Sequence, residues 1–263
     1  MSLFTGTAGF YRQYRPGIPG SVAAVLDAAV EQGSPRRLLD VGTGTGLVVE
    51  ALLGRFDDII AIDNDAGMLA AAEAALRPAL PDGTKLVLGQ STAEDFTPPG
   101  GWHADLVTIC RAFHWLDQAT VLARLDSQVC PHGAVAIFGD NSFWVATSDW
   151  KIAVRSVIQD FLGEQRRAGA GTFNHHDRPY SEIMQESPFQ QVEEVTVPVQ
   201  RTWTADSILG YLYSTSFASP HLFGGRLAEF DKTARARLAE YSDNGTFLED
   251  NEFLIRIGRR PAQ

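Results

Sequence analysis

Two kinds of apolar block take turns along the first half of this chain. RRLLDV, DIIAID, KLVLG, ADLVTIC and GAVAIFG are short runs with almost no polar interruption. SVAAVLDAAVEQG, TGLVVEALLGRF, AGMLAAAEAALRPAL and ATVLARLDSQV instead repeat apolar residues every three or four positions. Unbroken runs mark strands buried on both faces, and the longer period marks helices that cover them. In the first helical block Val22, Val25, Leu26, Ala29 and Val30 share one face, and Gly33 is a stop signal. Leu47, Val48 and Leu52 share a face in the second, and Pro78 ends the Ala-rich third. Strand and helix in alternation, joined by right-handed crossovers, predict an α/β, doubly wound, mostly parallel sheet.

The rhythm breaks after Gly139. NSFWVATSDWKIAVRSVIQDFLGEQRRAGAG holds one long amphipathic helix, and TFNHHDRPYSEIMQESPF is polar and punctuated by prolines. QVEEVTVPVQRTW returns to strand character. Two helical patterns follow, ADSILGYLYSTSFA and GRLAEFDKTARARLAEYS, and EFLIRIGRR reads as a last strand. These shifts divide the chain into a ligand-binding core over 1–140, an inserted cap over 141–190 packed on the sheet's carboxyl edge, and 191–263, which completes the core.

Charge narrows the partners. The formal net charge is −10, which disfavours nucleic acid and anionic membrane surfaces. Arg36, Arg37 and Arg259, Arg260 are isolated basic pairs. No run of about 18 apolar residues is present to span a bilayer. The N-terminal residues lack the basic start and apolar core of a signal peptide. Cys110 and Cys130 form no disulfide framework, which fits a reducing, cytoplasmic setting. A small molecule is the expected partner, and the pattern leaves the oligomeric state open.

The stretch LLDVGTGTG carries the first chemistry. Gly42, Gly44 and Gly46 alternate with threonines directly after a strand and at the start of a helix. That is where a nucleotide-like ligand sits in a doubly wound sheet. The spacing departs from Gly-x-Gly-x-x-Gly, since the third glycine stands at Gly46 where that fingerprint would need one at Leu47. No lysine follows to make a phosphate-binding P-loop. The next strand ends at Asp63, about 20 positions beyond the glycines, where an acidic residue accepts ribose hydroxyls. Taken alone, Asp63 reads equally as a helix N-cap.

LLDVGTGTG, AIDNDAGML, STAEDF and DLVTICRAFHWLD, in this order, resemble the class I S-adenosylmethionine-dependent methyltransferases. Within them the chain is most similar to the small-molecule branch of the trans-aconitate methyltransferases. FYRQYRPGIP resembles the Tyr-Arg-Pro segment of that branch, and WTADSILGYLYSTSFASP its later helix with a Ser-rich end. The resemblance implies a seven-stranded, Rossmann-like sheet with an inserted helical cap, and S-adenosyl-L-methionine as cofactor. Gly42, Thr43, Gly44 and Gly46 would form the cofactor loop, with Asp40 orienting it and the ligand's amino end. Asp63 would take the ribose, and Asn64 and Met68 would pack beside the adenosine. Ala93 and Glu94 would lie along the adenine edge, although Glu94 also reads as an exposed loop carboxylate. Arg111 and Ala112 would border the sulfonium. Tyr14 and Arg15 would close over the methionine carboxylate, the other reading of Arg15 being a surface ion pair.

Methyl transfer is an in-line displacement, so positioning in a dry pocket supplies much of the catalysis. A hydroxyl acceptor also needs a base. His114 follows the fourth strand and titrates in the right range; its other reading is a structural histidine bonded to a backbone carbonyl. Trp115 reads as packing. NHHD, His175 to Asp177, lacks further ligands at a metal-site spacing, so no metal is expected. Trp144, Trp150, Phe173, Tyr180, Tyr211, Tyr213 and Phe217 would line the cap, a few of them touching substrate. No Tyr-x-x-x-Lys pair of a short-chain dehydrogenase occurs, and CRAFHW replaces the Asn/Asp-Pro-Pro-aromatic run of amino-methylating enzymes. The expected activity is methyl transfer to a small metabolite, at oxygen. The alternatives are transfer to nitrogen or carbon, and a non-catalytic S-adenosylmethionine-binding regulator.

Overall fold

A computed structural model of the chain describes residues 6–168, 171–172 and 178–261. These fall into two compact units. One, the sheet unit, comprises the described residues of Gly17–Asp140, His176–Val197 and Phe253–Gln263. The other comprises the described residues of Met1–Pro16, Asn141–His175 and Pro198–Glu252. Among the described residues the packing boundaries therefore differ from the three-part division read from the sequence: residues 6–16 and most of the C-terminal third join the described part of 141–175.

Seven strands make one sheet: β1 (Arg37–Val41), β2 (Asp58–Asp63), β3 (Lys85–Gln90), β4 (Ala104–Cys110), β5 (Val129–Asp140), β6 (Gln191–Thr204) and β7 (Thr246–Arg259). Their order is β3-β2-β1-β4-β5-β7-β6. The first five pair in parallel, and β7 runs antiparallel to β5. The chain steps outward from β1 to β2 and β3, then returns to β4 on the other side. The carboxyl ends of β1 and β4 thus flank the point where strand order reverses, where such sheets bind ligands.

Two helices, α1 (Ala8–Tyr14) and α2 (Gly20–Ala28), precede β1, and α3 (Leu47–Leu52), α4 (Ala66–Leu76) and α5 (Gln118–Leu125) lie between the parallel strands. Leu38, Leu39, Ile59, Ala61, Leu106, Val107, Ala134 and Val135 are completely or almost completely buried, as unbroken apolar runs require. β3 departs from that reading. It is the edge of the sheet, and Val87 is 53% exposed. A short apolar run does not distinguish a central strand from an edge strand. The other edge, β6, carries Pro198, whose missing N–H an edge strand tolerates.

The second unit packs α6 (Asp149–Leu162) against α10 (Leu227–Ala239), and α1 against α8 (Ala205–Tyr213). Trp150, Val154, Leu209, Phe217 and Phe230 form its apolar centre. Phe223, from α9 (Pro220–Phe223), stacks on Phe230 at 4.1 Å. A capping box between Thr204 and Ser207 starts α8, which ends at Tyr213, short of the Ser-rich run read as its continuation. α1, α9 and α7 (Tyr180–Gln185) carry too few turns for a periodic signal and escape the sequence reading.

Candidate active site

The loop after β1 is shaped by positive φ angles at Gly42 (69°), Gly44 (55°) and Gly46 (84°). Two of these positions are also sterically closed. A Cβ on Gly42 would stand 2.7 Å from the Ala112 Cβ, and one on Gly46 would stand 2.8 Å from Leu76 Cδ1. Left-handed backbone and close packing together admit only glycine. The amides of Gly42 and Thr43 both donate to the Ile62 carbonyl, each at 2.9 Å, which ties the loop to β2.

Asp63, at the end of β2, fixes the middle of the loop. Its Oδ2 accepts from the Gly44 amide at 2.8 Å, and its Oδ1 accepts from the Asp65 amide at 2.9 Å. The N-cap of α4 is Asp65, which accepts from the Gly67 and Met68 amides. The N-cap reading of Asp63 thus passes to Asp65. A carboxylate offers about four lone-pair sites, so Asp63 keeps acceptor capacity after bracing the loop. Burial raises its pKa, and the amides of Asp65 and Gly44 oppose that rise.

Asp40 lies deeper, 1% exposed. It faces Thr108 in the β1–β4 register, and Thr108 Oγ1 donates to Asp40 Oδ1 at 2.7 Å. Asp40 Oδ2 has no hydrogen-bond partner among the described residues, nor do the buried hydroxyls of Thr43 and Thr45. Burial pushes the Asp40 carboxyl up to about 6; the Thr43 and Thr108 hydroxyls draw it down, and the charge of Asp63 adds to the rise. Thr43 therefore stands close enough to act on Asp40 without completing a well-formed hydrogen bond. Buried polar atoms normally find partners, so these three leave hydrogen-bonding capacity unmet at the loop after β1.

The other expected residues are distributed as follows. Asn64 is exposed, and its carbonyl accepts from Gln90 Nε2 at 3.2 Å. Met68 is only 3% exposed and belongs to the inner face of α4. Ala93 and Ala112 are partly buried and pack on the sheet unit's core. Glu94 Oε1 accepts from the Asp117 amide at 2.9 Å, so it braces the start of α5 and is not a free loop carboxylate. Arg111, at the end of β4, has φ 54°, the only positive φ outside glycine among the described residues. Such strain collects at functional sites. Arg111 Nε meets Asp140 Oδ1 at 2.6 Å, so its charge is neutralised where β4 and β5 end. His114 sits in the short turn Phe113–Trp115, half-buried, with its ring 4.5 Å from that of Trp115. Phe113 beneath it is buried and meets Tyr180 edge-on at 5.0 Å.

The second unit holds Tyr14 and Arg15. The Tyr14 ring lies against Gly210 of α8, where an added Cβ would come within 2.3 Å of it. Arg15 bonds Ser214 and stacks between the rings of Tyr11 and Tyr211, with no ion pair among the described residues. Of the expected cap aromatics, Trp150, Tyr213 and Phe217 are buried, Trp144 and Tyr211 are partly exposed, and Tyr180 packs on the sheet unit's core. Phe173 and the NHHD stretch lie outside the described residues. Among the described residues no group of three or more His, Cys, Asp or Glu gathers as a metal site. No helix among them is long and apolar enough to cross a membrane.

Sequence reasoning missed Thr108, Asp65 and Asp140. Thr108 had a signal: it is the one polar residue within the run LVTIC. Asp140 had none, because its link to Arg111 joins two strand ends 29 residues apart.

Comparison with known proteins agrees with this geometry. Residues 39–137, which contain the loop, Asp63 and His114, match the family model of a methyltransferase domain. An uncharacterized methyltransferase of Mycobacterium tuberculosis is 35% identical over 139 residues, which is 52% of each chain. Its counterpart in Mycobacterium bovis matches equally. The chain thus aligns over about half the length of these curated relatives. Among solved structures, a candidate type II methyltransferase from Anaeromyxobacter dehalogenans superposes with a TM-score of 0.59 at 18% identity, over 94% of this chain and 98% of that one. A phosphoethanolamine N-methyltransferase of Haemonchus contortus, complexed with phosphomonomethylethanolamine and S-adenosylhomocysteine, gives 0.54 at 14% identity, over 100% of this chain and 61% of its own. The fold is the Rossmann-like fold seen in these methyltransferase structures, and the segment that carries the glycine loop matches the model of a methyltransferase domain.

Proposed function

We propose that this protein is an S-adenosyl-L-methionine-dependent methyltransferase that acts on a small molecule, at oxygen. One observation carries the reading: Asp63 clamps a three-glycine loop and retains acceptor capacity, beside a buried carboxylate with one oxygen unpartnered among the described residues. These residues fit the cofactor. Asp63 would hold the ribose hydroxyls, and Asp40 and the loop would receive the methionine end. Asn64 would flank the adenosine, with Ala93 and Glu94 along the adenine edge. Met68 would support this wall from beneath. Arg111 and Ala112 would border the sulfonium, and the Asp140 carboxylate relieves the repulsion that an unpaired Arg111 would impose. The domain match and the neighbour holding S-adenosylhomocysteine support the same cofactor.

When bound, the cofactor supplies a methyl group on a sulfonium leaving group. The chain's part is to align an acceptor, exclude water and take up its proton. His114 would accept that proton from a hydroxyl acceptor, since a neutral imidazole is available near neutral pH. His114→Ala should then lower turnover by about 10²–10⁴ with little change in cofactor affinity. The wild-type rate should fall as pH drops through the histidine's pKa, because the protonated ring cannot accept. Activity in His114→Gln close to wild type would make the residue a positioning group. Calorimetry in chelator tests the cofactor itself: heat with S-adenosylhomocysteine and none with NAD is expected. The reverse pattern would overturn the assignment.

A further inference from the structure

A cavity of about 360 Å³ opens in the sheet unit at the amino ends of β4 and β5. Residues 97–103, just ahead of β4, form one wall, and Arg124, Ser127 and Gln128, just ahead of β5, form the other. The glycine loop follows the carboxyl end of β1, which runs parallel to β4. The two places therefore lie on opposite edges of the sheet, about 20 Å apart for a strand of this length. The first wall, TPPGGWH, is held in place at both ends. The Phe96 carbonyl ahead of it accepts from Arg124 Nη2 and Gln128 Nε2, each at 3.0 Å. The buried Trp102 donates its indole N–H to Asp58 Oδ2 at 3.0 Å, and its amide closes a turn on the Pro99 carbonyl at 2.9 Å. Between these anchors stand Gly100 and Gly101. Nothing lies within 4 Å of where a Cβ would stand on either, so a ligand can approach their backbone closely.

The lining is charged in one sense only. The chain carries 32 acidic residues and a net charge of −10, yet no Asp or Glu lines this cavity, whereas Arg124 and His103 do. The partners of the half-buried Arg124 guanidinium are neutral: the Phe96 carbonyl and Thr97 Oγ1, the latter at 3.3 Å from Nη2. Its Nε is buried without a partner among the described residues. The nearby carboxylates are engaged elsewhere. Asp58 holds Trp102, Asp126 pairs with Arg260, and Asp105 accepts from the Arg37 amide and from Cys130. A positive charge without an acidic partner, set in the wall of a cavity, favours an anion there.

We propose that this cavity is a second ligand site, which takes the phosphoryl group of a small phosphorylated metabolite. A carboxylate is held best by a guanidinium edge that offers two parallel donors. Arg124 offers no such edge, because Nη2 is spent on the loop and Nε is buried, which leaves Nη1 for a ligand. A phosphoryl group presents three acceptor oxygens in a tetrahedron and can take single donors from separate elements. Arg124 Nη1 from α5 and the exposed His103 imidazole from the opposite wall would be two of them. The cavity falls in the range of roughly 300–1,000 Å³ usual for small-molecule pockets, which leaves room for the rest of a phosphate ester. Free phosphate is the other source of the same chemistry. The site is independent of the methyltransferase reading, since it shares no residue with the candidate active site.

Ligand-observed NMR on the full chain tests this with glycerol 3-phosphate, inorganic phosphate and acetate as probes. Glycerol 3-phosphate should bind the wild type best. Arg124→Gln should weaken it roughly tenfold to a hundredfold, as loss of a charge-assisted partner does. Arg124 also ties down the loop, so a second variant is needed that keeps it. Ser127→Asp, at an exposed position in the cavity wall, leaves the guanidinium in place and adds a carboxylate. It should weaken glycerol 3-phosphate at least as much, with circular dichroism showing an intact fold. S-adenosylhomocysteine should neither displace the phosphate probes nor lose affinity in Ser127→Asp. Inorganic phosphate bound as tightly as the ester, and lost in both variants, would support the site with free phosphate as its ligand. Tighter binding of acetate would overturn the ligand class. Failure of both phosphates to bind the wild type, equal binding in both folded variants, or displacement by S-adenosylhomocysteine would each overturn the site. If glycerol 3-phosphate binds as expected and S-adenosylhomocysteine does not bind at all, the methyltransferase reading fails and this site stands.

Discussion

Each unit buries a carboxylate, and the two are treated in opposite ways. In the second unit Glu249 is 6% exposed and fully engaged. It pairs with the buried Lys151, accepts from Trp203 Nε1 at 2.7 Å and Asn251 Nδ2 at 3.0 Å, and has Arg201 at 3.5 Å. In the sheet unit Asp40 is 1% exposed and has one oxygen bonded and one without a partner among the described residues. Desolvating a charge is costly, and partners offset that cost only when the geometry is complete. Glu249 therefore belongs to the architecture. Asp40 holds an unmet demand that a ligand can meet, as binding sites do at some expense to stability.

Opposite signs on mutation would sharpen that contrast. The largest effect is expected at Glu249→Gln, which leaves Lys151 charged, buried and without its carboxylate. About 3–5 kcal/mol of stability should be lost, read from urea unfolding. A loss under about 1 kcal/mol would mean that solvent reaches the cluster.

Asp40→Asn should act in the other direction. The folded protein holds the Asp40 proton more tightly than the unfolded chain, at about 6 against an ordinary 3.8. Folding stability therefore falls as pH rises through that interval and stays low above it. Asparagine does not titrate and keeps an oxygen for Thr108. The variant should be more stable than wild type by roughly 1–3 kcal/mol at pH 8, and the gain should vanish by about pH 4. Cofactor affinity should fall in the same protein. A destabilised variant at pH 8 would show that Asp40 is satisfied after all, and the comparison with Glu249 would break.

A smaller effect is expected at Gly46→Ala, where left-handed backbone and Leu76 both oppose a Cβ. Roughly 1–2 kcal/mol should be lost, with a raised dissociation constant for S-adenosylhomocysteine. Gly83 has a similar φ of 83° but open space around it, so Gly83→Ala isolates the cost of backbone strain from that of crowding.

The same contrast explains what could be read in advance. The sheet unit's site is written in contiguous stretches: LLDVGTGTG, the end of DIIAID, and RAFHW each carry their own signal. Five parallel strands followed from unbroken apolar runs for the same reason. β3 misled because an edge strand needs only one covered face. The second unit is assembled from segments far apart in the chain. Arg15 meets Ser214 across 199 positions, and Lys151 meets Glu249 across 98. No spacing rule connects such residues, so Arg15 read as a surface ion pair or a cofactor contact, and Glu249 did not stand out.

The claim that Asp63 and the glycine loop hold the cofactor is tested most directly at Asp63. S-adenosylhomocysteine affinity should be measured by calorimetry for wild type, Asp63→Asn and Asp63→Ala under identical conditions. Asp63→Ala should bind roughly tenfold to a hundredfold more weakly, with Asp63→Asn in between, because the amide retains one acceptor for the loop but loses the charge. An unchanged dissociation constant in both folded variants would contradict the claim and place the ribose elsewhere.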